Sequence, residues 1–204
     1  MLTLEQQVKD QFAKVFSASD WRLFKEIAEI YFCEAAFLKK SDFDVPMKRK
    51  LLVRNSRKRL LIGLGVELLV KAVYLRAGYC INKPETNNAP MTPPFKPADA
   101  TAAHVTLNRR DTYTLGRLIE KLGTVAKFQN QKLEVVKDGL RIAAVYRNKE
   151  GHIVTRRHKY VASSFRAIEG ALVDLYESVF GEKLSVRFSF ASSEKGAWHV
   201  DSGD

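Results

Sequence analysis

Residues 60–74 read Leu-Leu-Ile-Gly-Leu-Gly-Val-Glu-Leu-Leu-Val-Lys-Ala-Val-Tyr, apolar nearly all the way round a helix. A helix without a polar face cannot lie on a surface, so other elements have to surround it. A chain of 204 residues must therefore supply several amphipathic helices, each turning one apolar stripe toward this segment. Two charges interrupt the run, Glu67 and Lys71, spaced four apart so that they share a face and can pair. A charge inside a core is expensive unless shared, so a further polar group is expected to meet them.

The flanking sequence supplies the stripes. Thr3 with Gln6 reads as a capping box before Leu4, Val8, Phe12 and Val15. Asp20 caps a second helix carrying Phe24, Ile27, Tyr31, Ala35 and Leu38, and Pro46 opens a third that runs on to Gly78. Asp111 or Thr112 caps a short helix with Leu115, Leu118, Ile119 and Leu122, closed by Gly123. Leu133, Val136, Leu140 and Ala144 mark another, stopped by Gly151. The most regular stripe is Val161, Phe165, Ile168, Leu172, Leu175 and Val179, ending at Gly181. Such a seam suits an antiparallel bundle, or a helix that also packs on a second subunit.

The expected fold is an all-α helical bundle of about six helices, one domain over residues 1–190. Residues 82–110 are an inserted loop with Pro84, Pro90, Pro93, Pro94 and Pro97, either partly disordered or a working insertion. Leu184, Val186, Phe188 and Phe190 alternate with polar residues and predict a short extended segment. Residues 191–204 read as a frayed tail.

A formal net charge of +11 points to an anionic partner, nucleic acid before membrane surface. Lys48, Arg49, Lys50, Arg54, Arg57, Lys58 and Arg59 crowd the start of the third helix. They read either as a solvated helix face or as a phosphate-contacting surface. Cys33 and Cys80, both in apolar surroundings, predict reduced core thiols in a reducing compartment. The first residues carry no apolar leader, and no apolar run is long enough to span a bilayer, so a cytoplasmic protein without membrane contact is expected. Glycine-rich phosphate loop, nucleophile elbow, zinc spacing and magnesium-type carboxylate cluster are all missing, so neither metal nor cofactor is expected. His104, His158 and His199 read as solvated.

The hexapeptide Arg147-Asn148-Lys149-Glu150-Gly151-His152 is different. Arg147 continues the Leu133–Ala144 stripe, and a guanidinium on that side needs an anionic group to meet it. Gly151 ends the helix and brings His152 beside Arg147 at its terminus. The bland reading is a helix end at which Lys149 and His152 favour the negative pole of the dipole.

An arginine, a polar residue directly after it, and a histidine at the end of a late helix in an all-α chain resemble the HEPN superfamily, in its ribonuclease and toxin-like branch. The run Gly65-Val66-Glu67-Leu68-Leu69-Val70-Lys71-Ala72 is similar to that family's early core helix. The resemblance implies a metal-independent endoribonuclease with a site composed by a homodimer, acting in phage defence or with an antitoxin or effector partner. The residue chemistry is compatible. RNA carries its own nucleophile, the 2′-hydroxyl, so protein groups need only move protons and stabilise phosphorane charge. His152 suits proton transfer near neutrality, Arg147 the non-bridging oxygens, and Asn148 can hold either of them or the phosphate.

One histidine cannot act as base and acid in a single in-line step, whereas a two-fold dimer supplies two. Arg147, Asn148 and His152 from both chains are expected around a basic groove. Lys149, Arg156, Arg157 and Lys159 are expected on the RNA backbone, with Glu67 and Lys71 as a supporting polar pair. Val154 stands where the branch controlled by nucleotidyltransferases has tyrosine, so the resemblance does not extend to that control. Two other functions fit: a non-catalytic HEPN-like module binding RNA, a nucleotide or a partner, and a helical scaffold docking nucleic acid through residues 48–59.

Overall fold

The helix that has to be surrounded is α3 (Met47–Arg76), 30 residues long in the computed structural model. The structure describes residues 3–17, 20–39, 42, 44, 46–85, 91–128, 132–150, 162–189 and 195–202. Ile62, Val66, Leu69, Val70, Ala72 and Tyr74 of α3 are wholly buried. Three elements cover them, and a fourth backs one of the three. α2 (Trp21–Phe37) runs antiparallel to α3: Glu34 pairs with Arg57 near one end, and the Arg76 guanidinium lies 5.0 Å from the Trp21 ring at the other. α7 (Lys132–Glu150) crosses α3, and α8 (Ala162–Leu175) runs antiparallel to α7. Lys132 Nζ meets Asp174 at 2.9 Å at one end of that pair, and Tyr146 Oη meets Ser164 Oγ at 2.5 Å at the other. α5 (Leu115–Glu120) lies under α3, where Tyr74 Oη donates to the Leu118 carbonyl at 2.8 Å.

The anticipated caps form where their chemistry is local. Thr3 and Gln6 exchange hydrogen bonds ahead of α1 (Leu4–Ser17), and the Asp20 carboxylate accepts from the Arg22 amide at 2.9 Å. Pro46 sits at the N-cap of α3.

The chain is mostly helical, but it is not a plain six-helix bundle. Among the described residues it has eight α-helices and two small antiparallel sheets. β1 (Asn82–Pro84) pairs with β2 (Leu107–Thr112), and α4 (Pro97–Ala102) lies between them. Much of the stretch expected to be loop is therefore built structure. Thr112 belongs to β2 rather than capping a helix, and Thr114 takes the N-cap position of α5. Lys121 breaks the short helix in two, leaving α6 (Leu122–Val125).

The tail needs correction too: residues 197–201 are not frayed. They form β4 (Ala197–Asp201), paired in full register with β3 (Lys183–Arg187). Trp198 explains why. Its ring lies 5.1 Å from Phe32 and 6.0 Å from Tyr176, which docks the hairpin on α2 and α8. The stripe of α8 also shifts at its end. Tyr176–Phe180 widens into a π-helical turn, which buries Tyr176 and Phe180 and leaves Val179 half-buried before Gly181 at φ +72°.

Among the described side chains, the basic start of α3 is only partly a solvated face. Arg57 is exposed, but Arg54, Lys58 and Arg59 are 6%, 1% and 0% exposed. They extend the buried stripe backward from Val66 and Ile62 in steps of four, to Lys58 and then Arg54. Burial pushes the Lys58 ammonium down to about 8, with the Arg54 charge adding to the effect and Glu169 opposing it. Cys33 and Cys80 are free thiols; Cys80 is buried just beyond α3, where burial and Asp99 push its thiol up to about 11.

Gly63 permits the crossing of α3 and α7. A Cβ there would lie 2.6 Å from the Arg147 backbone nitrogen, and backbone cannot swing aside. Gly63→Ala is expected to cost about 1–3 kcal/mol, whereas Gly170→Ala on α8, with nothing within 4 Å, gains a few tenths. Opposite shifts in thermal midpoint check this. Lys58 gives a pH test. Its folded pKa lies below its unfolded one, so the unfolded chain binds more protons from about pH 8 to 10.5, and stability from this group rises through that window. Lys58→Met should therefore exceed wild type by on the order of 1–3 kcal/mol below pH 8, a gap that closes toward pH 10.5 in urea titrations.

Candidate active site

The site is built where α7 ends on the middle of α3. With no side chain at Gly63, the backbone of Arg147 seats directly on α3 and its side chain runs along that helix. One turn on, Glu67 receives it: Arg147 Nε lies 2.7 Å from Glu67 Oε2. The other carboxylate oxygen, Oε1, lies 2.9 Å from Lys71 Nζ. One carboxylate thus bridges two cations, each on its own oxygen. Asn148 completes the group, its Oδ1 accepting from Arg147 Nη1 at 3.0 Å.

Burial grades along this chain of contacts. The Lys71 side chain is 4% exposed, Glu67 14% and Arg147 44%. Lys71 is thus locked inside, Glu67 forms the floor, and the guanidinium edge reaches solvent. Arg147 is less enclosed than its stripe implies, because it sits at the helix end. The carboxylate takes Nε and the amide takes Nη1, while Nη2 makes no recorded bond among the described residues. Two cations and one anion leave this group with a net positive charge facing outward, suited to a bound anion.

Four of the anticipated residues are therefore together: Arg147, Asn148, Glu67 and Lys71. Lys149 is exposed on the same last turn of α7. His152, Arg156, Arg157 and Lys159 lie outside the described residues, as does Val154. Of the remaining histidines, His199 is exposed on β4 and His104 is exposed with φ 52°. Among the described residues, no group of His, Cys, Asp and Glu is arranged to hold a metal ion. No helix among them is long and apolar enough to cross a membrane. A separate cavity of about 430 Å³ opens at the far end of α3, between Leu75, Tyr79, Asn82 and Arg109, well along the helix from Arg147.

The contact sequence analysis missed was the direct Glu67–Arg147 pair. Each residue carries its own signal, a lone carboxylate in an apolar run and an arginine on an apolar stripe. Only the crossing at Gly63 links them.

Glu67→Gln removes both ion pairs of the buried carboxylate, at a cost of about 3–5 kcal/mol. Arg147→Ala breaks a half-exposed pair and should cost about 1 kcal/mol or less. Denaturant midpoints in that order are expected; equal losses would contradict the graded burial. Searches of family models, curated proteins and solved structures found no match to this chain.

Proposed function

We propose that this chain is a metal-independent endoribonuclease of the HEPN type, cleaving RNA at a composite site in a homodimer. The observation that carries the reading is the Arg147 guanidinium, gripped by Glu67 through Nε and by Asn148 through Nη1 while the side chain stays partly open to solvent. A guanidinium held this way is oriented before substrate arrives, which is what stabilising a developing phosphorane charge requires. His152 follows five residues later in sequence, outside the described residues.

In this mechanism the 2′-hydroxyl of the RNA gives its proton to the His152 of one protomer and attacks the adjacent phosphorus. Charge builds on the non-bridging oxygens and is met by Arg147. The bond to the 5′ oxygen breaks as that oxygen takes a proton from the partner's His152. The products are a 2′,3′-cyclic phosphate end and a 5′-hydroxyl end, so atoms and protons balance without water in this step. Glu67 acts as a positioning residue, and Lys71 holds Glu67 in turn. Lys149, Arg156, Arg157 and Lys159 supply backbone attraction without base reading. A role in phage defence or beside an antitoxin or effector partner fits such an activity, as does a cytoplasmic location.

Purified protein with mixed RNA in excess chelator provides the test. Cleavage should leave 2′,3′-cyclic phosphate ends. It should fall about 10²–10⁴-fold in His152→Ala and about 10²–10³-fold in Arg147→Ala. Cleavage that survives His152→Ala, or RNA binding without cleavage in wild type, would overturn the reading. The second outcome would leave a non-catalytic RNA-binding module.

A further inference from the structure

Arg54 and Lys58 are spaced one turn apart on α3 and buried, and among the described residues no carboxylate forms an ion pair with either. Lys58 Nζ meets only the Ser189 carbonyl, at 3.3 Å. Arg54 bonds only the side-chain oxygen of its neighbour Asn55, through Nε at 3.3 Å and Nη2 at 3.2 Å. Lys58, its pKa lowered to about 8, is still mostly protonated near neutral pH, so both cations carry charge while their hydrogen-bond acceptors are neutral, an arrangement that costs stability. The carboxylate in the field of Lys58, Glu169, is engaged elsewhere: its Oε1 accepts from the Phe188 amide at 2.6 Å. Nothing in the site described around Arg147 accounts for two cations held in this way.

We infer that Arg54 and Lys58 form an enclosed binding site for a phosphate group, either free or at the end of a nucleic acid strand. Two cations match the charge of a phosphate monoester, close to −2 at neutral pH. A planar guanidinium beside a compact ammonium matches its geometry, the first gripping two oxygens and the second one. Enclosure selects among phosphates. A site 1–6% exposed cannot take the continuous backbone of a strand lying on the surface, but it can take a terminal or free group. Entry requires side chains at this end of the bundle to move, so binding should be slower than at an open surface.

The position supports a link to nucleic acid. Arg59, adjacent to Lys58, holds its guanidinium 6.0 Å from the Tyr146 ring, and Tyr146 precedes Arg147. Lys58 lies five residues before Gly63, about 8 Å along the helix axis, and Gly63 touches Arg147. The same end of the bundle thus carries both the enclosed cations and the outward guanidinium. The inference does not depend on cleavage: a binding site can exist whether or not Arg147 and His152 act on RNA.

The test compares wild type, Lys58→Met, Arg54→Gln and Arg57→Gln. The last removes an exposed charge from the same helix. Sodium phosphate against sodium chloride at equal ionic strength, read by thermal midpoint, probes the free anion. A short oligodeoxynucleotide with a 5′-phosphate against its 5′-hydroxyl form, read by fluorescence anisotropy, probes a strand end. At least one arm should respond in wild type and Arg57→Gln, as a midpoint rise of a few degrees or an affinity at least tenfold higher for the phosphorylated strand. That response should vanish in Lys58→Met and Arg54→Gln, and Arg54→Gln decides alone if Lys58→Met does not fold. Which arm responds identifies the source of the phosphate. No response in wild type, or an equal response in all four proteins, would overturn the site whatever the outcome for RNA cleavage.

Discussion

The carboxylate of Glu67 holds the centre of this molecule together. It sits in the one helix that has almost no polar face, and it is shared between Lys71 of the same helix and Arg147 of α7. Without Glu67, Lys71 would lose its ion pair inside the core, and Arg147 would be left with the Asn148 oxygen to orient it. The crossing that brings them together depends on Gly63, because any side chain there would meet the α7 backbone. A packing requirement and an electrostatic one therefore meet at a single point, four residues apart on α3.

This arrangement separates structural from chemical duty by depth. Lys71 is enclosed and fixes one oxygen of Glu67. Arg147 is partly open to solvent and can meet an anion without leaving its carboxylate, because Nη2 keeps donors that neither Glu67 nor Asn148 takes. A lysine in the same place could not divide its donors in this directed way. Asn148 adds a neutral acceptor on the Nη1 side and limits rotation of the group.

Much of the helical frame was legible in the sequence, for reasons that can be named. The caps at Thr3 and Asp20 depend on residues two or three apart, so local chemistry decides them. The Glu67–Lys71 pair and its need for a third partner followed from two charges inside an apolar run. The alternation of β3 was legible, but β2 and β4 were hidden, because β2 is polar after Leu107 and the alternation of β4 is too short to stand out from a Gly- and Ser-rich tail. Trp198, reaching Phe32 from the other end of the chain, holds β4 in place, and no local pattern reports such a contact. The buried Arg54 and Lys58 were obscured by their own chemistry. Their spacing from Ile62 and Val66 continues the buried face, but a crowd of seven cations, these two included, invites a reading by charge rather than by period.

Whether the outward edge of Arg147 receives a phosphate is the question on which the functional account turns. The most direct measurement is a crystal structure with a short RNA carrying a 2′-deoxy substitution at the cleavable position, which can bind but cannot supply the nucleophile. The expected result is a phosphate oxygen within hydrogen-bonding distance of Arg147, with Glu67 still on Nε and the partner's copy of the site facing the same phosphate. RNA bound elsewhere on the surface, with Arg147 left to solvent, would contradict it.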